Sequence, residues 1–265
     1  MEPEKVIHKE WDYLKEAYVE KEYHQILDPR AAVPDYDILP TVLPKDYKIG
    51  VLIALACSGR LIPPELVIAM TMQMAPIAMN QTFCCVKGLK VEDAREKLAQ
   101  IAIEQKAKYL FFVDDDTIPP PQALRKLIYQ LQIHPDAKVC GGIYVSKQVP
   151  PEPIIGRGQS DGVFWNWKAG EVFEVDWMGA GCMLIDVDVF KHLTPPYFPW
   201  QYLAPPETDK ISNRGQVGED ISFCWKVREA GFKILAHGGV LCDHYDASTG
   251  ILHRLPLDSY PLRKD

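Results

Sequence analysis

The chain lacks any apolar run long enough to cross a bilayer, any excess of basic residues, any internal repeat and any low-complexity stretch. The first absence argues against a membrane-spanning protein. The opening segment MEPEKVIHKEWDYLKEAYVEKEY is charged throughout and has no apolar core of the signal-peptide kind, so a soluble, cytoplasmic protein is expected. A formal net charge of −7 argues against broad contact with nucleic acid or an anionic membrane and favours a small polar substrate. Paired cysteine is also missing. The seven cysteines (Cys57, Cys84, Cys85, Cys140, Cys182, Cys224 and Cys242) make an odd number with no CxxC spacing. Most sit in apolar runs such as LIALAC and VLCDH, which points to buried free thiols in a reducing compartment.

What is present suffices for one large domain: 265 residues, 47% of them hydrophobic. Residues 1–45 read as an appendage, a charged, tyrosine-rich helix to about residue 27 followed by the proline-punctuated linker DPRAAVPDYDILPTVLPKD. That helix is expected to pack on the domain surface, with a homodimer contact as the alternative. From Lys48 strands and helices alternate. KIGVLIALA, NQTFCCVKG, YLFFV and KVCGGIYV read as strands, and PPELVIAMTMQMA, VEDAREKLAQIAIEQKA and PPQALRKLIYQLQIHP as helices, Asp93 serving as an N-cap. Such alternation predicts an α/β fold, a Rossmann-like, mainly parallel sheet flanked by helices. The Pro-, Gly- and Trp-rich region 146–217 predicts a smaller mixed region on the substrate side. GEDISFCWKVREAGFKI predicts a further helix closed by Gly231. The main domain is expected over 46–250, with 251–265 as a C-terminal tail.

One stretch calls for chemistry: KYLFFVDDDTIPPP, in which a buried strand runs into Asp114, Asp115 and Asp116. In an open α/β sheet, ligands bind at the carboxyl ends of the strands, which is where these aspartates fall. Three adjacent carboxylates repel one another unless they stay solvated or a divalent cation neutralises them. A helix N-cap at Asp116 or Thr117 is the simpler alternative, but one residue would suffice for it.

The hydrophobic strand ending in VDDD, preceded by AREKLAQIAIEQKAKY and followed in order by GGIYVSK, EVDWMGAGCMLIDVDVF, GEDISFCWKVREAGFKI and VLCDH, resembles the DXD region and later blocks of A-type (GT-A) glycosyltransferases, particularly the family-2-like group. The resemblance covers residues 48–246. It implies transfer of a sugar from a nucleotide-diphosphate donor, uridine diphosphate being the commonest, with Mn²⁺ or Mg²⁺ stabilising the departing diphosphate. By the same resemblance Asp116 binds the metal, and Asp114 lies near the ribose or at the metal's water shell, as a second metal residue. Asp115 joins the donor side, and His244 is a metal ligand, with His237 as an alternative histidine and Asp243 and Asp246 as acidic ones. Mixed oxygen and imidazole donors favour Mn²⁺.

In GED, the resemblance makes Asp220 the general base of an inverting transfer and Glu219 its orienting partner or substitute. A helix first turn favours acids in any case. Ser58 and Arg60, in the loop after the first strand, are candidate nucleotide contacts. Arg95 matches an arginine that faces the donor diphosphate, although Glu96 stands where asparagine usually follows. In DWMGAGC, Trp177 is the candidate sugar platform, and Gly179 and Gly181 allow close backbone approach. The QxxRW element of processive synthases is absent, which favours single transfer. A sugar-phosphate nucleotidyltransferase and a non-catalytic nucleotide- or glycan-binding protein are the alternatives. ACSGRLIPP is a poor phosphate loop for the first, and retention of both acidic elements disfavours the second. The acceptor, whether glycan, lipid-linked sugar, protein, metabolite or modified base, has no signature in the sequence.

Overall fold

The computed structural model describes residues 5–12, 17–24, 48–59, 62–77, 79–158, 162–200 and 217–255. The chain divides into two units, Met1–Thr41 and Val42–Asp265. In the first, the expected helix is replaced by an antiparallel hairpin of β1 (Lys5–Asp12) and β2 (Ala17–His24). The register sets Val6 opposite Tyr23, Trp11 opposite Tyr18 and Lys9 opposite Glu20. Val6, Ile7, Trp11, Tyr18, Val19 and Tyr23 are β-branched or aromatic, types that favour a pleated ladder once a partner strand is available.

The second unit follows the alternation read from the sequence. In chain order it contains β3 (Val51–Cys57), α1 (Pro64–Thr71), β4 (Gln81–Lys87), α2 (Val91–Glu104), β5 (Tyr109–Asp114), β6 (Thr117–Ile118), α3 (Ala123–Ile133) and β7 (Ala137–Ile143). There follow β8 (Ile155–Gly156), β9 (Val172–Val175), β10 (Trp177–Met178), β11 (Cys182–Asp186), a 3₁₀ turn (Val187–His192), α4 (Glu219–Glu229), β12 (Lys233–Leu241), β13 (Asp243–Asp246) and β14 (Ile251–His253). Seven strands form one sheet in the order β4-β3-β5-β11-β7-β12-β9. Its β4, β3, β5, β7 and β12 share one direction, while β11 and β9 run against them. This is the mainly parallel, helix-flanked α/β class read from the sequence. None of the described helices is long and apolar enough to cross a membrane.

The pleat of β5 decides what reaches the site. Tyr109, Phe111 and Val113 join the core formed with Leu66 and Met70 of α1 and Leu124, Leu127 and Ile128 of α3. Phe112 points to the opposite face, where Arg95 of α2 lies over its ring at 5.5 Å and Phe198 meets it edge-on at 5.5 Å. Phe198 in turn stacks on Phe223 of α4 with ring centroids 4.5 Å apart. Fully burying one such side chain contributes about 1.5–3 kcal/mol, so β5 is firmly seated by both faces. Two residues beyond Phe112, Asp114 emerges on the face covered by α2 and α4.

Two expected caps are not caps. Helix α3 starts only at Ala123, after Gln122 in the left-handed region (φ 67°), so neither Asp116 nor Thr117 caps it. Instead Thr117 is drawn into β6, pairing with His244 of β13. Lys90, not Asp93, is the N-cap of α2; Asp93 sits in its first turn, where the helix dipole favours an acid. Gly231 does end α4 as expected, with φ 87° and its N–H bonded to the Arg228 carbonyl at 2.8 Å. All seven cysteines are free thiols, and all but Cys85 are buried.

Candidate active site

The three aspartates at the end of β5 separate into three environments. Asp115 is 7% exposed, and its Oδ2 accepts from the Ser58 backbone N–H at 2.7 Å and from the Ser58 hydroxyl at 2.6 Å. The pair ties the loop after β3 to the end of β5, so Ser58 and Asp115 spend these polar groups on each other. Arg60 lies outside the described residues.

Asp114 is held by Arg95. The Arg95 Nη2 donates to both carboxylate oxygens of Asp114 at 3.0 Å, while its Nε donates to Glu219 Oε1 at 2.9 Å. Arg95 is 3% exposed, and it joins the two acidic elements because α2 and α4 cover the same face of the sheet. Burial works against the guanidinium, but Asp114, Glu219 and Asp220 around it outweigh that and keep it charged. The same burial pushes the carboxyls of Asp114 and Asp220 upward, and burial together with the neighbouring Asp220 does so for Glu219. Asp220 is half-buried at the start of α4, its Oδ1 accepting from the Ile221 N–H at 2.8 Å. Arg95 Nη1 is buried and finds no hydrogen-bond partner among the described residues.

Asp116 faces the other way, toward β13. The backbone pairing of β6 with β13 is continued by a bond from Tyr245 N–H to the Asp116 carbonyl at 2.7 Å. That register brings His244 Nε2 to 3.4 Å from Asp116 Oδ1, and Lys147 Nζ lies 2.6 Å from Oδ2. Burial opposes the charge on Asp116, yet contacts with His244 and Lys147 prevail and hold its carboxyl down at about 2.

Asp116 and His244 suit a hard divalent ion. His244 Nδ1 lies 2.7 Å from the Val145 carbonyl. A carbonyl only accepts, so Nδ1 donates to it, the kind of backbone bond that orients metal-ligating histidines, and Nε2 is left on the side of Asp116. Among the described residues no group of three or more His, Cys, Asp or Glu side chains is poised to hold an ion. The described residues therefore offer two donors, and oxygens from water or a bound anion would have to complete the shell. Asp114, expected as a second metal ligand, has both oxygens engaged by Arg95. His237, the alternative imidazole, is buried in β12 with Nδ1 accepting from the Gly239 N–H at 3.0 Å.

The loop between β10 and β11 closes the other side. Because β11 is antiparallel to β5, its start lies beside the end of β5, and Asp114 N–H bonds the Gly181 carbonyl at 3.2 Å. Gly181 N–H donates to the Tyr144 hydroxyl at 3.1 Å. A Cβ on Gly179 would run into Tyr144, and one on Gly181 into Thr117 and Tyr144, so close approach requires glycine at both positions. Trp177 is half-buried, and its ring covers Gly156 of the paired strand β8. Lys147 and Tyr144 lie in the GGIYVSK block, but the sequence assigns them no role; their signal is position, at the same edge of the sheet as the aspartates.

No family model matches the chain, and neither does any curated protein. Among solved structures, A197 from STIV is 16% identical with a TM-score of 0.52, over 77% of this chain and 93% of that one. GalNAc-T7, solved with UDP, GalNAc and Mn²⁺, is 12% identical with a TM-score of 0.48, over 74% of this chain and 44% of that one. At such identities the likeness to A197 is one of fold.

Proposed function

We propose that residues 46–250 form a GT-A glycosyltransferase domain that moves a sugar from a nucleotide-diphosphate donor, a uridine diphosphate sugar foremost, to an acceptor hydroxyl, in single transfers with inversion. The observation that carries this reading is the buried guanidinium of Arg95 bridging Asp114 and Glu219, which unites two acidic elements far apart in sequence at the carboxyl edge of the sheet. Asp116 and His244 would hold Mn²⁺ or Mg²⁺, which when bound supplies positive charge to the departing diphosphate. Arg95 holds Asp114 and Glu219 in fixed geometry. Asp220, at the half-buried mouth of α4, takes the proton of the acceptor hydroxyl as that oxygen attacks the anomeric carbon. Its upward shift through burial suits a base working near neutral pH. Gly179 and Gly181 let the backbone approach donor and acceptor closely.

The test is thermal stability with a panel of nucleoside diphosphates, with and without Mn²⁺, on wild type and Asp116→Ala. A ligand at about 100 times its dissociation constant adds roughly 2.7 kcal/mol, which is readily visible. The expected result is a shift that needs one nucleotide, Mn²⁺ and Asp116 together. No shift with any combination overturns the transferase reading, and synthesis of a nucleotide sugar from a nucleoside triphosphate selects the nucleotidyltransferase in its place.

A further inference from the structure

Lys147 is placed where a cation of the site would be, on a loop built to hold it there. Val145 bridges Pro153. Ser146 N–H donates to the Glu152 carbonyl at 2.7 Å, and Ile154 N–H to the Tyr144 carbonyl at 2.9 Å. Glu152 N–H returns a bond to the Ser146 hydroxyl at 3.1 Å. With the loop's base pinned by these three hydrogen bonds, the mobile part is the four-carbon stem, which delivers Nζ to Asp116 Oδ2 at 2.6 Å. The other oxygen of that carboxylate is the one 3.4 Å from His244 Nε2. An ammonium and a divalent ion cannot share this carboxylate without strong repulsion at such separations. The arriving metal therefore weakens the hold of Asp116 on Lys147, and the loosened ammonium is drawn to another anion within reach.

We propose that Lys147 exchanges partners: it neutralises Asp116 while no divalent ion is present, and moves to the donor's diphosphate when the metal–nucleotide complex takes Asp116. This rests on the assignment of Asp116 and His244 as metal donors made above. A compact ammonium with three donors suits phosphate oxygens. During transfer the bond between the anomeric carbon and the β-phosphate oxygen breaks, and its electron pair stays on that oxygen. Lys147 keeps its protons and meets the growing charge through hydrogen bonds. The exchange also gives an order to binding: the metal enters with the diphosphate, because entering alone leaves the lysine only Asp246 nearby, whose oxygens already accept from Ser248 and Thr249.

The experiment titrates Mn²⁺, followed by the electron paramagnetic resonance of the free ion, into wild type, Lys147→Met, Lys147→Arg and Asp116→Ala, each alone and with inorganic pyrophosphate, a diphosphate free of any base. A hydrogen bond between charged groups is worth roughly 10- to 100-fold in an equilibrium constant. Lys147→Met should therefore bind Mn²⁺ alone about 10- to 100-fold more tightly, and bind pyrophosphate at saturating Mn²⁺ more weakly by a similar factor. Lys147→Arg, which keeps the charge, should stay near wild type in both. Affinities that move together in Lys147→Met, or do not move, overturn the exchange while leaving the metal assignment intact. Mn²⁺ binding that is absent, or indifferent to Asp116→Ala, overturns the metal assignment and the exchange with it.

Discussion

The two ends of the central strands solve the problem of buried charge in opposite ways. At the amino end of β5, Asp186 accepts from Lys108 at 3.0 Å and from Lys138 at 3.1 Å, and Asp188 meets Lys191 at 2.9 Å and Lys138 at 3.5 Å. Two carboxylates there face three amines, and the most exposed of these, Lys191, is 79% open to solvent. At the carboxyl end, Asp114, Glu219 and Asp220 gather around Arg95, Asp116 meets Lys147, and Asp115 is bonded only by Ser58 among the described hydrogen bonds. Positive charge is in surplus at one end and in deficit at the other. Charge that merely stabilises a fold tends to be balanced and solvated; a deficit kept beside a buried strand is the arrangement expected where an external cation completes the site.

The largest effect should come from the carboxyl end. Asp220→Asn keeps the size of the side chain and its oxygen acceptor for Ile221 N–H, and removes only the ability to take a proton. Turnover should fall about 100- to 10,000-fold, with donor binding close to wild type, measured as kcat against the dissociation constant of the nucleotide with Mn²⁺. Undiminished turnover would transfer the base role from Asp220 and break the contrast at its most functional point.

Next in size is a paired substitution, one cation from each end. Arg95→Met strands Asp114 and Glu219 without their buried partner, and removing one member of such a pair typically costs about 3–5 kcal/mol. Lys108→Met removes an amine that is 53% exposed, and leaves Asp186 its bond to Lys138. Exposed pairs of this kind contribute about 0–1 kcal/mol. Urea denaturation of both variants checks the difference. Equal losses would mean that burial does not distinguish the two ends, and the charge deficit would lose its meaning.

Much of the fold was legible because the local signals agree. YLFFV is a run buried on both faces, and Leu124, Leu127, Ile128 and Leu131 repeat at helical spacing; both settle into the expected elements. The amino-terminal segment was misread because Ile7 and Trp11 fit a helical spacing as well as they fit a strand. Pairing with Ala17–His24 decides between them, and a partner strand is invisible to a local pattern. The site was legible in part. Strand ends and the acidic turn of α4 announce themselves, and the order of blocks brings His244 into view. Arg95 was read as a diphosphate contact, but its reach to Asp114 and Glu219 depends on α2 and α4 sharing a face. Lys147 sits 31 residues from Asp116 in a proline-rich loop, and only the folded loop reveals where its ammonium goes.

The smallest expected effect is also the one in which the two ends should differ in sign. Burial raises the Asp220 carboxyl above its ordinary value of 3.8, so in the folded state it holds a proton that the unfolded chain has released. Its contribution to stability is present below the unfolded value and lost as pH rises through the folded one. Asparagine does not titrate. The stability of Asp220→Asn relative to wild type should therefore increase as pH is raised from about 4 toward 7. At the other end, the hydrogen bond from Lys191 holds Asp188 below 3.8, so Asp188 contributes stability above its unfolded value that is lost on acidification. Asp188→Asn should lose ground to wild type as pH rises out of the acid range, weakly, because solvent screens this exposed pair. Urea midpoints of the three proteins between pH 3 and 7, with a chelator present, provide the measurement. Taking differences from wild type cancels groups remote from the substitutions, including His237, whose burial pushes it down; Glu219, which Asp220 helps to raise, shifts with Asp220→Asn in the same direction. Opposite slopes sharpen the contrast between the ends. Parallel slopes would mean that Asp220 is solvated like a surface carboxylate, which would remove the physical reason for choosing it as the base.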